Sequence, residues 1–359
     1  MEGEAVGNLR ARVAAWRHRN PSRSLKIIGV AGASGKTTTA RLLGEILQEA
    51  GHSVMTLTNR GSFHNGQLIS ERCDRSADAV QHALTVAKKK EVGYVILEVT
   101  DELVATHVLP TLLLTMSVLT NDSPGAQALL NEPVDYTVVP SGFDVAGLSV
   151  APHQAISFGD DISAEAQIAG VKELRRGTEV DMVIDHQTKL SVATYLVGRA
   201  NAMNVAAAVS AAYVLAADTE AFEEGIARLE RIAGNYDYIP TGDRPYDIVV
   251  DAATTDSSVG LVTASAGKLK KRRLLIGADA TLDNALYPVL KQAADRVAVV
   301  GDSPELPGVE RVESMRAALD LLMRAAKKDD LILLLGRTFA EADGDDRTQA
   351  QRMLEAADE

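Results

Sequence analysis

A lysine followed by three threonines, Lys36-Thr37-Thr38-Thr39, stands directly behind a glycine-rich stretch, Gly29-Val30-Ala31-Gly32-Ala33-Ser34-Gly35. These residue types in this order suit the handling of a phosphate chain. Gly32 and Gly35 carry no Cβ, so the backbone can bend and come close to an anion. Lys36 offers a cation to the β- and γ-phosphates, and the Thr37 hydroxyl suits Mg²⁺. The spacing differs from the usual G-x-x-x-x-G-K-[ST], whose first glycine would fall where Val30 stands. What remains is a shorter G-x-x-G-K-T form. A mostly apolar run, Leu25–Val30, precedes it and an amphipathic run, Ala40–Leu47, follows. Strand, turn and helix therefore succeed one another, and the helix start adds unpaired N–H groups and a positive dipole end. A Gly/Ser turn that merely opens a helix is the alternative. The Gly-Lys-Thr-Thr tetrad and both flanks argue against it.

The elements that must hold this loop follow from hydrophobic patterning. From Leu25 onward, apolar runs alternate with helical patterns. The strand candidates are Leu25–Val30, Val54–Thr58, Gly93–Val99, Leu112–Thr120 and Val134–Val139, with helices over Thr37–Ala50 and Ser76–Lys90. Continuous apolar strands separated by helices predict an α/β fold with a mostly parallel sheet covered on both faces. Shorter strands at Ile156–Gly159, Val180–Ile184 and Leu190–Leu196 predict a small antiparallel patch, followed by helices at Asn201–Ala217 and Thr219–Ile232. Gly234, Pro240, Gly242 and Pro245 then mark a break. Beyond it alternation restarts, with strands at Tyr246–Asp251, Arg272–Gly277, Arg296–Val300 and Leu331–Leu335 and helices at Ser257–Lys268, Leu282–Ala294 and Ser314–Lys327. The organisation expected is a short amphipathic lead-in helix over 1–24, a central P-loop domain over 25–235 and a smaller Rossmann-like domain over 236–359.

Composition sets the outer limits. At 359 residues, 46% apolar and 24% charged, the chain can bury two proper cores, built from Ala, Val, Leu and Ile because aromatics are only 4%. A net charge of −12 argues against a nucleic-acid surface, so any anionic substrate must be met by local positive groups. Cys73 is the single cysteine, which excludes an intrachain disulfide and a cysteine-based zinc site. The segment Met1–Ser24 is rich in arginine without an apolar core of signal-peptide length, and no run approaches the ~18 apolar residues of a membrane span. The expectation is a soluble, cytoplasmic protein.

Four motifs carry a resemblance. Gly32–Thr39 resembles the G-T-N-G-K-T-T-T loop of Mur ligases, the ATP-dependent amino-acid ligases of peptidoglycan synthesis, whose relatives make folate polyglutamate, poly-γ-glutamate and cyanophycin. Tyr94–Val99, with Glu98, is similar to the strand that ends in E-V-S-S-H. Gly198–Ala208 is similar to G-R-x-N-x-x-N-x-x-A-A, and Asp251–Ser258 stands where D-Y-A-H-T-P-D-S is expected. The matches occur in family order from about residue 25 to 340, and the branch adding the third peptide residue to the UDP-muramyl precursor is the one most resembled. The resemblance implies that Gly32, Ala33, Ser34, Gly35, Lys36, Thr37 and Thr38 hold the phosphates of ATP. It implies that Thr37 and Glu98 hold Mg²⁺, with Lys36 and Glu98 serving the chemistry. Asn201 and Asn204, one helical turn apart, would face the adenine, and Asp251 the ribose. Family members close two domains over ATP and form an acyl phosphate, which an amine then attacks.

The departures from the family pattern are equally specific. The UDP-sugar-binding domain of the peptidoglycan ligases has no counterpart in the roughly two dozen residues before the first strand. The expectation is an acceptor held other than by its uridine, or a partner chain supplying that function. Leu119–Gly125 lacks the histidine of D-H-L-D, and no lysine between Lys90 and Lys172 can be the family's carbamylated one. Glu102 replaces the histidine of E-V-S-S-H. Asp101 and Glu102 are either a different acidic cluster for metal or a helix start with favourable acids. His107 is a candidate replacement for that histidine, a packed or solvent-facing histidine being the commoner case. The hinge arginine is Asn235, D-N-P-R reads Asp302-Ser303-Pro304-Glu305, the late G-K-G-H-E reads Gly336–Ala340, and the D-Y-A-H histidine is Thr254. Arg60 is a candidate contact for an anionic substrate, or an exposed loop arginine. Lys268–Arg273, five basic residues in six, is a solvated edge or a patch for a polyanion. An unrelated P-loop kinase or GTPase is a third reading, against which stand the absence of an N-K-x-D guanine motif and the second Rossmann-like domain; two functions stand ahead of it on the sequence. One is a Mur-type amide ligase joining a carboxylate acceptor to an amino acid or amine; the other is an ATP-binding relative that has lost ligation and serves as a regulatory or partner subunit.

Overall fold

The computed structural model describes residues 2–70, 74–144, 154–174, 176–270, 272–301, 307–341 and 347–356. Cys73 and the Asp302–Glu305 stretch lie outside them. Contacts group the chain into two compact units, Met1–Glu173 with Gly177–Glu230, and Arg231–Glu359 with Leu174–Arg176. The division falls a few residues ahead of the 235/236 boundary read from the sequence.

The first unit opens with α1 (Glu2–Arg17). This helix stops where Arg19 and Asn20 take left-handed conformations, φ 60° and 48°, ahead of a 3₁₀ turn at Pro21–Ser24. Its buried side is made of alanines, Ala11, Ala14 and Ala15, whereas Val6, Leu9, Val13 and Trp16 are exposed. The amphipathic pattern expected there is therefore reversed in size: small residues let the helix lie close, and the large apolar ones face outward. The chain continues through β1 (Lys26–Ala31), α2 (Lys36–Glu49), β2 (Val54–Thr58), β3 (Gly61–His64), β4 (Gln67–Ser70), α3 (Ala77–Lys89), β5 (Tyr94–Glu98), α4 (Asp101–Ala105), β6 (Leu114–Leu119), α5 (Pro124–Leu130) and β7 (Tyr136–Pro140). It ends with β8 (Ala155–Gly159), β9 (Ala166–Leu174), β10 (Gly177–Ile184), β11 (Thr188–Thr194), α6 (Arg199–Val214) and α7 (Thr219–Arg228).

These strands form one eleven-stranded sheet in the order β11-β10-β9-β8-β7-β6-β1-β5-β2-β3-β4. The central neighbours of β1 are parallel to it, β5 on one side and β6 on the other. Strands β2 and β5 are buried along their whole length, which is why they read as unbroken apolar runs. Of the expected antiparallel patch, β10–β11 is antiparallel and extends the main sheet, whereas the strand expected at Ile156–Gly159 is β8, parallel to both β7 and β9. At the other edge the β3–β4 hairpin was not read from the sequence, because its strands are four residues each and half polar. The parallel order has one consequence for chemistry. The C-terminal ends of β1, β2, β5 and β6 share one edge of the sheet, the edge at which ligands of such sheets bind.

The second unit comprises β12 (Asp237–Ile239), β13 (Asp247–Asp251), α8 (Asp256–Leu269), β14 (Leu274–Ala278), α9 (Tyr287–Ala293), β15 (Arg296–Val300), β16 (Val309–Val312), α10 (Met315–Ala325), β17 (Leu331–Leu335) and α11 (Gln349–Glu355). Its sheet runs β12-β13-β17-β14-β15-β16, parallel except for β12, as the Rossmann-like reading predicts. The Leu282–Ala294 helix is broken into a 3₁₀ turn at Asn284–Leu286 and α9, with Pro288 in the first turn of the latter.

The basic run before β14 is occupied internally. Asp330 is fully buried and accepts hydrogen bonds from Arg273 Nη2 at 2.6 Å and Lys327 N at 2.8 Å, with Arg272 Nη1 at 3.4 Å. Lys270 pairs with Asp295. Lys270, Arg272 and Arg273 are thus engaged within the fold, as an edge of the structure would have them. Burial pushes the Asp330 carboxyl up, but the Arg273 hydrogen bond, the Lys327 N–H and the two guanidinium charges outweigh it and hold the carboxyl below its ordinary value of 3.8. The stability this group contributes is thus present above that value and lost as pH falls below it. Asp330→Asn is expected to cost about 2–4 kcal/mol at pH 7, since it leaves buried donors and charge poorly matched. Urea melts of the two proteins should converge as pH drops below the ordinary carboxylate value; a constant gap would contradict the assignment.

Candidate nucleotide-binding site

Strand β1 ends at Ala31, and the loop 32–35 carries the chain into α2. The helix begins at Gly35, φ 81°, without the side-chain cap that Ser, Thr or Asp supplies to α3, α4, α5 and α7. Its first N–H groups are therefore left for another acceptor. Two glycines make the loop possible. Gly32 has φ 146°, and a Cβ there would overlap Thr120 Oγ1; Gly35 is left-handed, and a Cβ there would overlap Asn204 Oδ1. Both fail for any side chain, on conformation and on space. Gly32→Ala is expected to lower the melting temperature by several degrees and to weaken nucleotide affinity at least tenfold. Thermal melts and ATP titration of that variant check both effects.

The loop is pinned by the residues after β6. Asn121 Oδ1 accepts from Ala33 N and, at 3.3 Å, from Ser34 N, while its Nδ2 donates to Ser34 O at 3.2 Å and Ser34 Oγ at 3.0 Å. Thr120 Oγ1 donates to Ala31 O and Ser34 O. Lys36 folds over this turn, its Nζ donating to Gly32 O at 2.7 Å. The first turn of α2 then meets β5. Thr37 Oγ1 donates to Glu98 Oε2 at 3.0 Å and lies 3.0 Å from Asn59 Oδ1, and Asn59 N donates to the same Glu98 oxygen at 2.9 Å. Glu98 is 2% exposed, and its Oε1 is buried with no hydrogen-bond partner among the described residues.

That orphaned oxygen decides whether Mg²⁺ fits. A buried carboxylate oxygen without a partner is costly unless a cation or donor reaches it. Here it stands beside a threonine hydroxyl at the start of a phosphate loop. Among the described residues no group of three or more His, Cys, Asp or Glu could hold a metal. One carboxylate and one hydroxyl completed by phosphate oxygens and water is the usual Mg²⁺ arrangement, so the residues fit.

A family model described as Mur ligase middle domain matches residues 30–124. Over that stretch the chain is similar to the Mur ligase middle domain. It is 24% identical over 406 aligned residues to a UDP-N-acetylmuramoyl-L-alanyl-D-glutamate–2,6-diaminopimelate ligase of Halalkalibacterium halodurans, covering 96% of this chain and 81% of that protein. The enzyme of the same name from Corynebacterium efficiens is 28% identical over 334 residues, covering 83% and 62%. Among solved structures, the Mycobacterium tuberculosis folylpolyglutamate synthase complexed with ADP has TM-score 0.72 at 16% identity, covering 91% of each chain. The Acinetobacter baumannii UDP-N-acetylmuramoylalanyl-D-glutamyl-2,6-diaminopimelate–D-alanyl-D-alanyl ligase has TM-score 0.70 at 17% identity, covering 97% of this chain and 78% of that one.

The structure brings together Gly32, Ala33, Ser34, Gly35, Lys36, Thr37 and Glu98 at one sheet edge. Thr38 is buried in α2 behind them. Asn201 and Asn204 are buried on α6, where Asn201 Nδ2 donates to Val197 O and Asn204 Nδ2 to Asn201 Oδ1, placing Asn204 Oδ1 against Gly35. In this arrangement the pair braces the loop. Asp251 ends β13 in the second unit, and both its oxygens accept from backbone, Tyr236 N and Ala253 N, each at 2.7 Å. His107 does not join the acidic cluster: its ring lies against Gly7 of α1. Glu102 is exposed on α4. Its carboxyl is held below the usual range by its own backbone N–H and by the Thr100 hydroxyl, with Arg75 and Lys36 adding positive charge.

Sequence reasoning missed Asn59, Arg75, Thr120 and Asn121. Their signal was positional: polar residues following apolar strands, visible once parallel order puts those strand ends at one edge. In the second unit it also missed Asp279 after β14, a buried carboxylate that accepts from Thr338 N at 2.6 Å and Phe339 N at 3.0 Å and so shapes the loop after β17.

Proposed function

We propose that the chain is an ATP-dependent amide-bond ligase of the Mur type, acting in the synthesis of cell-wall precursors or related peptides. The observation that carries the reading is the Thr37–Glu98 pair with its orphaned Oε1, at the start of a glycine loop whose helix has no side-chain cap. The loop N–H groups of Ala33 and Ser34, now on Asn121, exchange to phosphate oxygens. Lys36 leaves Gly32 O for the β/γ-phosphates. Thr37 and Glu98 hold Mg²⁺, which when bound offsets charge on the terminal phosphates. In the reaction proposed, a carboxylate oxygen of the acceptor attacks the γ-phosphorus and ADP leaves. An amine nitrogen then attacks the acyl carbon, phosphate leaves, and the nitrogen loses a proton. The chain's own contribution to the first step is positioning and fixed positive charge, which is where phosphoryl transfer takes most of its catalysis.

Phosphate release from ATP, measured against a panel of amino acids and peptidoglycan precursors with Lys36→Ala as control, tests the reading. Release that requires a carboxylate acceptor and an amine together supports it. ATP binding without acceptor-dependent release across the panel would favour the regulatory-subunit alternative, which Glu102 and the histidine-free Leu119–Gly125 segment keep in view.

A further inference from the structure

At the sheet edge that carries the loop, Lys36 and the Arg60 that follows β2 are joined by no cation from the chain between β5 and β9. Between Lys90 and Lys172 the sequence has neither lysine nor arginine. The chain from β5 through α5 therefore brings Glu98, Asp101, Glu102 and Asp122 to this region without a single cation. Arg41, on α2, is turned to Glu45 and stacked on the Phe63 ring 3.7 Å from its centroid. Arg75, just ahead of α3, is placed differently. It is half-buried, and its Nη1 donates to Thr100 Oγ1 at 2.6 Å.

Parallel register locates that contact. Val30 of β1 stands beside Glu98 of β5, and Val99 N donates to Val30 O at 2.8 Å. Thr100, two residues past Glu98, caps α4 as the chain leaves β5, at the same sheet edge where β1 gives way to Gly32. Gly32 is the residue whose carbonyl holds Lys36 Nζ. An ammonium and a guanidinium accordingly stand past the C-terminal ends of two neighbouring strands, β1 and β5. The lowered Glu102 carboxyl agrees, since Arg75 and Lys36 both bear on it.

We propose that Arg75 is a second phosphoryl-contacting cation of the nucleotide site, its guanidinium meeting the terminal phosphate of a bound nucleoside triphosphate or that group once transferred to a carboxylate. The inference rests on the nucleotide reading above and adds a residue to it. A guanidinium suits the task because its planar fork takes two phosphoryl oxygens at once and it stays charged at any working pH. One N–H on Thr100 orients the fork and leaves other N–H groups for the ligand. It also supplies positive charge near the transferring group in a chain whose family-pattern hinge arginine is Asn235.

The test is calorimetric titration of the full chain with ADP and with the non-hydrolysable triphosphate AMP-PNP, both in Mg²⁺. Wild type is compared with Arg75→Ala, Arg75→Gln and Arg75→Lys. Glutamine keeps a donor for Thr100 while removing the charge, and thermal melts report the fold. The expected result is ADP affinity within twofold of wild type for all three. AMP-PNP should weaken at least tenfold for alanine and glutamine and recover in part for lysine. Parallel weakening toward both ligands, or no change toward either, overturns the role of Arg75 while leaving the loop assignment standing. A wild-type chain that binds neither nucleotide overturns both.

Discussion

Lys36→Ala should lose measurable ATP binding while keeping its fold. The Lys36 ammonium group meets a different environment in the free loop and against a nucleotide. In the free loop Lys36 donates, among the described residues, to two backbone carbonyls, Gly32 O at 2.7 Å and Ala33 O at 3.4 Å. A bond of that kind contributes about 0.5–1.5 kcal/mol net, and the loop keeps its ties to Thr120 and Asn121 without it. Against the β/γ-phosphates the same group meets multiple negative charges. Removing one partner of such a pair costs about 2–5 kcal/mol, so Kd should rise by at least ~30-fold. Circular dichroism and melting temperature separate the two effects. A variant with native melting and unchanged ATP affinity would remove Lys36 from the site.

Glu98→Gln is expected to separate binding from stability in the opposite sense. One oxygen can still accept from Thr37 and Asn59, so the local hydrogen bonds survive. The second position, now an NH₂ donor, repels a cation where the carboxylate would have ligated it. The variant should lose the Mg²⁺-dependent part of its ATP affinity, about tenfold or more, and its ATP affinity in Mg²⁺ should fall to that in EDTA. Its melting temperature should stay level or rise, because a buried, half-satisfied carboxyl has been replaced by a neutral group. An affinity that still responds to Mg²⁺ in this variant would contradict the Thr37–Glu98 assignment.

The parallel core was legible because its strands are buried on both faces and leave unbroken apolar runs; Val54–Thr58, Arg296–Val300 and Leu331–Leu335 coincide with β2, β15 and β17. The phosphate loop was legible because Gly, Lys and Thr are needed there for reasons internal to a few residues. What stayed hidden depends on neighbours distant in sequence. Asn121 reaches Ala33 across β1 and β6, and Arg75 reaches Thr100 across α3, contacts that exist only once strand order is known. The inward face of α1 was not legible for a different reason. Periodicity marks large apolar residues as core, whereas close packing there selects alanine and leaves Trp16 outside. The basic run at Lys268–Arg273 was ambiguous because its main partner, Asp330, lies far along the chain.

The central claim is that the 32–37 loop is where a Mg²⁺-nucleotide sits. Hydrogen–deuterium exchange of the full chain, with and without ATP and Mg²⁺, tests it at the atoms concerned. The account predicts added protection in peptides covering Gly29–Thr39 and Thr58–Arg60, with the β10–β11 hairpin unchanged. Binding of ATP that leaves Gly29–Thr39 as exposed to exchange as before would contradict it.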